Sequence, residues 1–131
     1  MNTTYVNSQS STGTCTLTAA APGPGGCWNL CSLSVSMAGP TIGPNAKLVI
    51  YDGPVGGTVL FAAFLDAPLQ AGAPAGGSVG HIQEIPLPRS PQGVQGLQAT
   101  PGNAMNIQVV GTGANTVSIN ARFSDGLPTT Q

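Results

Sequence analysis

The chain has 131 residues, 40% of them apolar and 5% charged, with a formal net charge of −1. A typical soluble domain carries about 25% charged residues. With only three cations it cannot form the basic patch that nucleic acid or an anionic membrane surface requires, so neither is an expected partner. The longest apolar run, 59-VLFAAFL-65, is too short to cross a bilayer as a helix.

This length suits one domain, with enough buried surface for a core that needs no metal or disulfide. Nineteen Gly and twelve Pro cluster between apolar runs instead of diluting them. They read as turns of a folded all-β protein, not as disorder.

Residues 1–12 are polar and unpatterned, and are expected to form an N-terminal arm, disordered or held by a neighbour. They contain no positive region followed by an apolar one, so no signal peptide is expected and synthesis in a cytoplasm is. The sandwich domain is expected over 13–131. Its first strand is 13–21, with Cys15, Leu17 and Ala19 inward and Thr14, Thr16 and Thr18 outward. After the turn-rich 22-PGPGG-26, a second strand over 28–37 places Cys31, Leu33, Val35 and Met37 on one face and Ser32, Ser34 and Ser36 on the other.

Strands over 46–52 and 58–65 follow, joined as a hairpin through 52-DGPVGG-57. Residues 66–81 read as a long exposed loop. A strand over 82–87 is confined to an edge or a bulge by Pro86 and Pro88, since Pro cannot donate to a ladder. A weaker candidate spans 94–100. The last two strands, 104–111 and 115–123, are expected to form a hairpin around 111-GTGA-114. In the final strand Val117, Ile119, Ala121 and Phe123 face inward, and Thr116, Ser118, Asn120 and Arg122 outward. About eight antiparallel strands in this pattern predict a single β-sandwich, jelly-roll or immunoglobulin-like.

Catalysis is not expected. His81 is the one imidazole, and with Glu84 it makes an H-x-x-E at a loop-to-strand boundary. A hydrolytic metal site usually takes three protein ligands, and Asp52 and Asp66 could contribute only if the fold converged them. No G-x-S-x-G is present, and the Gly-rich loops lack a following Lys-Ser/Thr. Cys15, Cys27 and Cys31 are odd in number, and 27-CWNLC-31 has a three-residue spacer. They read as small buried apolar residues, without disulfide or zinc. No metal and no cofactor is expected. Of Tyr5, Trp28 and Tyr51, which could stack a sugar, Trp28 reads more readily as a core or interface anchor.

The missing charge points to an exterior committed to other proteins. Edge strands usually carry Lys or Glu against edge-to-edge pairing, whereas these faces carry Ser, Thr, Asn and Gln. Such groups hydrogen-bond a partner without the desolvation penalty of charges. Trp28, Arg89, Arg122, Ser118 and Asn120 are the interface candidates. The two arginines are there as rare charges suited to partner carboxylates.

The stretches 47-KLVIYDG-53, 58-TVLFAAFL-65, 85-IPLPRSPQGVQ-95 and 101-PGNAMNIQVVGTGANTVSINARF-123, with the Thr-rich 14-TCTLTAAAPGPG-25, resemble the small β-sandwich decoration or cement proteins of tailed-bacteriophage capsids. The resemblance covers about residues 13–123, and the Trp28 region departs from it. It implies a non-enzymatic protein, commonly a trimer, located on the virion surface and clamping adjacent copies of the major capsid protein. The alternatives are a tail, neck or fibre component of the virion, or a carbohydrate-binding or adhesive module.

Overall fold

A computed structural model describes residues 3–22, 26–41, 45–65, 79–87 and 96–126, with side chains described except at 3–8, 79–83 and 125–126. The described residues form nine strands and no helix. They are β1 (Thr3–Thr12), β2 (Cys15–Ala19), β3 (Cys27–Gly39), β4 (Lys47–Asp52), β5 (Thr58–Phe64), β6 (Val79–Glu84), β7 (Leu97–Gln98), β8 (Met105–Val110) and β9 (Thr116–Gly126).

One sheet has the order β1-β9-β3-β6, with the two-residue β7 also beside β3. The other has the order β2-β8-β4-β5. Every pairing is antiparallel. First pairs with last, and so on inward: β1 with β9, β2 with β8, β3 with β6, β4 with β5. A chain doubled on itself in this way and wrapped into two layers is a jelly roll, the first of the two expected sandwich types.

The core lies between the sheets and is built largely from alternate residues of β2, β3, β4, β8 and β9. Leu17 comes from β2, Leu48 and Ile50 from β4, Ile107 and Val109 from β8, Val35 and Met37 from β3, and Val117, Ile119, Ala121 and Phe123 from β9. The inward positions expected for β2 and β9 are the buried ones. Burying each large aliphatic side chain contributes about 1.5–3 kcal/mol.

Several expectations give way. The polar segment expected as an arm is an edge strand over Thr3–Thr12, paired residue for residue with Asp125–Thr116 of the same chain. Backbone groups make that ladder, so no apolar pattern announces it. Strands β8 and β9 are not a hairpin. Each pairs with other strands, and the loop between them crosses from one sheet to the other. Only β4 and β5 form an expected hairpin. Cys31 is not on the core face, because the β3–β9 register shifts between Leu30 and Ser32, leaving Cys31 as the extra residue of a bulge. β6 begins earlier than expected, at Val79, and ends at Glu84, before Pro86; it lies at the edge of its sheet among the described strands.

The crossings β1→β2, β3→β4 and β8→β9 gather at one end of the sandwich around Asn115. This buried carboxamide accepts from the Thr41 backbone N–H and donates to the Thr41 carbonyl, both at 2.8 Å. The Asn115 carbonyl accepts from the Gly13 N–H at 3.0 Å. Gly39 makes the close approach possible: its φ is +148°, and a Cβ there would lie 2.8 Å from the Asn115 Cα. At the other end, the Asp52 carboxylate holds the 99–104 connection through Thr100 N (3.1 Å), Thr100 Oγ1 (2.5 Å) and Asn103 Nδ2 (3.0 Å).

Candidate functional site

The outward positions of β9 lie centrally in their sheet, flanked by β1 and β3. Ser118 stands between Ser10 and Ser36, Asn120 beside Ser34, and Arg122 beside Ser32. The Ser118 Oγ donates to the Ser10 Oγ at 3.0 Å, and the hydroxyls of Thr12 and Thr116 lie 3.4 Å apart. Among the described side chains, this stretch of the face is a ladder of hydroxyl and amide groups that ends in Arg122.

The charge is concentrated in a cleft of about 340 Å³, where Cys31, Ser32, Ser34, Glu84, Asn120 and Arg122 meet over a floor that includes Leu33 and Ile85. Its origin is a gap in the sheet. β6 covers β3 from Ser34 onward and β7 covers Asn29 and Leu30, so Cys31 and Ser32 have no strand beside them on that side among the described residues. The bulge falls in the same gap. Glu84 and Arg122 are both exposed and make no ion pair with each other.

Burial pushes the Cys31 thiol pKa upward, and the positive charge of Arg122 offsets only part of that rise. At neutral pH the sulfur is therefore a protonated thiol and a poor nucleophile. No group of three or more His, Cys, Asp and Glu side chains placed to hold a metal occurs among the described residues. The cleft offers a guanidinium, a carboxylate, hydroxyls and an amide. That set can form hydrogen bonds and ion pairs.

The structure brings Arg122 and Asn120 together in the cleft and sets Ser118 farther along the same face. Trp28, expected as a core or interface anchor, is a core residue. It is 8% exposed, its ring meets Phe123 edge-on at 5.6 Å, and its Nε1 donates to the Ala20 carbonyl at 2.7 Å. An indole held there has no free face for a sugar or a partner. Arg89 and Asp66 lie outside the described residues, as do the side chains of Tyr5 and His81.

Sequence reasoning missed that Glu84 and Arg122 line one cleft, because their strands meet only through β3. It also missed the apolar half of the second sheet's outer face. There Thr16, Thr18, Asn106 and Gln108 of β2 and β8 bond across strands at 2.6 and 3.2 Å. By contrast, Val59 and Phe64 of the neighbouring edge strand β5 are 52% and 76% exposed, and Val55 in the preceding turn is 44% exposed. The sequence cue was the absence of any charge over 53–65.

The chain matches no protein-family model, no curated protein and no solved structure.

Proposed function

We propose that this chain is a non-enzymatic structural subunit of a tailed-phage virion. In this reading it decorates the outer surface of the head and stabilises contacts between copies of the major capsid protein. The observation that carries the reading is the described part of the outer face of the β1-β9-β3-β6 sheet: hydroxyls and amides along β9 and its neighbours, with one cation and one anion at a cleft. Such a face can be desolvated against another protein at small electrostatic cost, and Arg122 and Glu84 supply register. Two further points support it: the resemblance carried by 47–65 and 85–123, and the jelly-roll topology, which recurs in viral capsid proteins and also in lectins. The buried Trp28 counts against the lectin alternative.

The test is co-sedimentation of the purified chain with phage heads that lack it. Saturation at a copy number comparable to the coat protein is expected. Arg122→Glu should weaken binding at least tenfold, about 1.4 kcal/mol, with the fold intact by circular dichroism. Saturation at a few copies per particle would move the chain to the tail, neck or fibre. No binding to any particle would sink the reading.

A further inference from the structure

We infer that the Asp52–Gly53 peptide bond is a site of spontaneous rearrangement to isoaspartate, and that the fold holds it unreactive through Thr100, Asn103 and Ala104. Nothing in this depends on the chain being a virion subunit.

The rearrangement needs no reagent but water. The Gly53 backbone nitrogen attacks the carbon of the neutral Asp52 carboxyl. The carboxyl C–OH bond breaks, and the hydroxyl leaves as water with the proton of the Gly53 nitrogen. The cyclic imide so formed takes up water at either carbonyl. Opening at the main-chain carbonyl restores the original mass but routes the chain through the former Asp52 side chain. The main chain is then longer by a methylene, and the free carboxylate sits directly on the Asp52 Cα.

Asp and Gly meet here for separate reasons. Asp52 ends β4 and ties down the 99–104 connection. Gly53 opens the turn into β5 with a φ of +96°, in the left-handed region that favours glycine. Their juxtaposition puts a carboxyl next to a nitrogen that no Cβ shields.

Both reacting groups are restrained. The Asp52 carboxylate accepts from the Thr100 N–H at 3.1 Å, the Thr100 Oγ1 at 2.5 Å and the Asn103 Nδ2 at 3.0 Å. To reach the Gly53 nitrogen the carboxyl must leave these donors. Donors gathered on a carboxylate also favour its charged form, which is a poorer electrophile than the neutral acid. The Gly53 N–H donates to the Ala104 carbonyl at 2.8 Å, and the Gly53 carbonyl accepts from the Asn106 Nδ2 at 2.7 Å. Gly53 is itself buried. Moving its nitrogen toward the carboxyl therefore opens the end of the β4–β8 ladder, where Asp52 pairs with Met105. Once rearranged, the site loses its clamp. A carboxylate drawn back to the Cα no longer spans to Thr100 and Asn103, and the added methylene displaces the turn from the Asp52–Thr58 pair.

The test follows isoaspartate at Asp52 by fragmentation mass spectrometry of a proteolytic digest during warm incubation at neutral pH. The samples are the folded chain, the same chain in urea, and the peptide 49-VIYDGPV-55. Attack requires local opening, so the folded chain should rearrange about a hundredfold more slowly than either reference. Thr100→Val with Asn103→Ala removes two of the three donors and should speed the reaction of the folded chain about tenfold. Thr100→Ser keeps the hydroxyl and should stay at the wild-type rate. Circular dichroism establishes that each variant is folded. Should the double variant not fold, Thr100→Val alone takes its place, with a several-fold rise expected. A folded chain that rearranges as fast as the peptide, or a folded clamp variant no faster than wild type, would overturn the inference. Neither result bears on head binding.

Discussion

The Asn115 carboxamide pairs with both backbone groups of Thr41, as a neighbouring strand would. Asn115→Ala removes both bonds and leaves two backbone groups in a site where the side chain was fully buried. We expect a loss of about 2–4 kcal/mol in urea unfolding. Its near neighbour in the same loop predicts the reverse. The Thr112 hydroxyl is buried with no partner among the described residues, so Thr112→Val should raise stability by about 1 kcal/mol. Asp52 gives a pH signature. Burial pushes its carboxyl pKa upward, but hydrogen bonds from the Thr100 hydroxyl, Asn103 and the Thr100 N–H outweigh that and hold it below the ordinary value. A group whose folded pKa is depressed stabilises fully above its unfolded pKa, about 4 for Asp. That contribution is lost as pH falls through the lower folded value. Melting temperature should therefore drop below about pH 4, and Asp52→Asn should show a shallower drop over the same window.

At the scale of elements, β9 is the sharpest test of register. Ile119 is fully buried and Ser118, its neighbour, faces outward. Ile119→Asp should unfold the domain, at a cost above about 4 kcal/mol, because it buries an unpaired charge. Ser118→Asp should fold and bind heads less well. Wild-type binding by Ser118→Asp particles would take that face out of any interface. β1 tests the reading of the N-terminal segment. An arm could be deleted without harm, whereas an edge strand could not. Deleting residues 1–12 removes a ten-residue ladder and leaves the flank of β9 uncovered. A large fall in the urea midpoint, with aggregation, is expected.

For the whole molecule, nesting first strand with last means that pairing joins residues more than a hundred positions apart, as at Thr3 and Asp125. Loop-closure entropy must be overcome before such contacts form, so refolding should be slow, milliseconds to seconds or longer. Until β4 and β5 are sheltered by the rest of the fold, the uncharged run over 53–65 is exposed to other chains. Phe64→Lys, at an exposed position, should therefore improve refolding yield.

Alternation along the chain was enough to identify the core faces of β2 and β9, because side-chain direction in a strand is a local property with period two. It named Cys15, Leu17, Val117, Ile119 and Phe123 as buried without knowledge of any partner strand. The outward Ser118, Asn120 and Arg122 followed from the same rule. Pairing is another matter. Whether 111–114 turns within a sheet or arches between sheets depends on which strands already flank each neighbour, and the loop's own residues satisfy either. The ladder of β1 uses backbone groups that every residue carries. The bulge at Cys31 is a register shift of β3 against β9, and the gap beside it lies between β6 and β7 on the other side of β3. The sequence by itself determined which side chains of β2 and β9 face the core, since in an unbulged strand that depends on the strand alone. The partners, the arches, the cleft and the open β5 edge were decided by the tertiary structure, because each is a relation between segments distant in the chain.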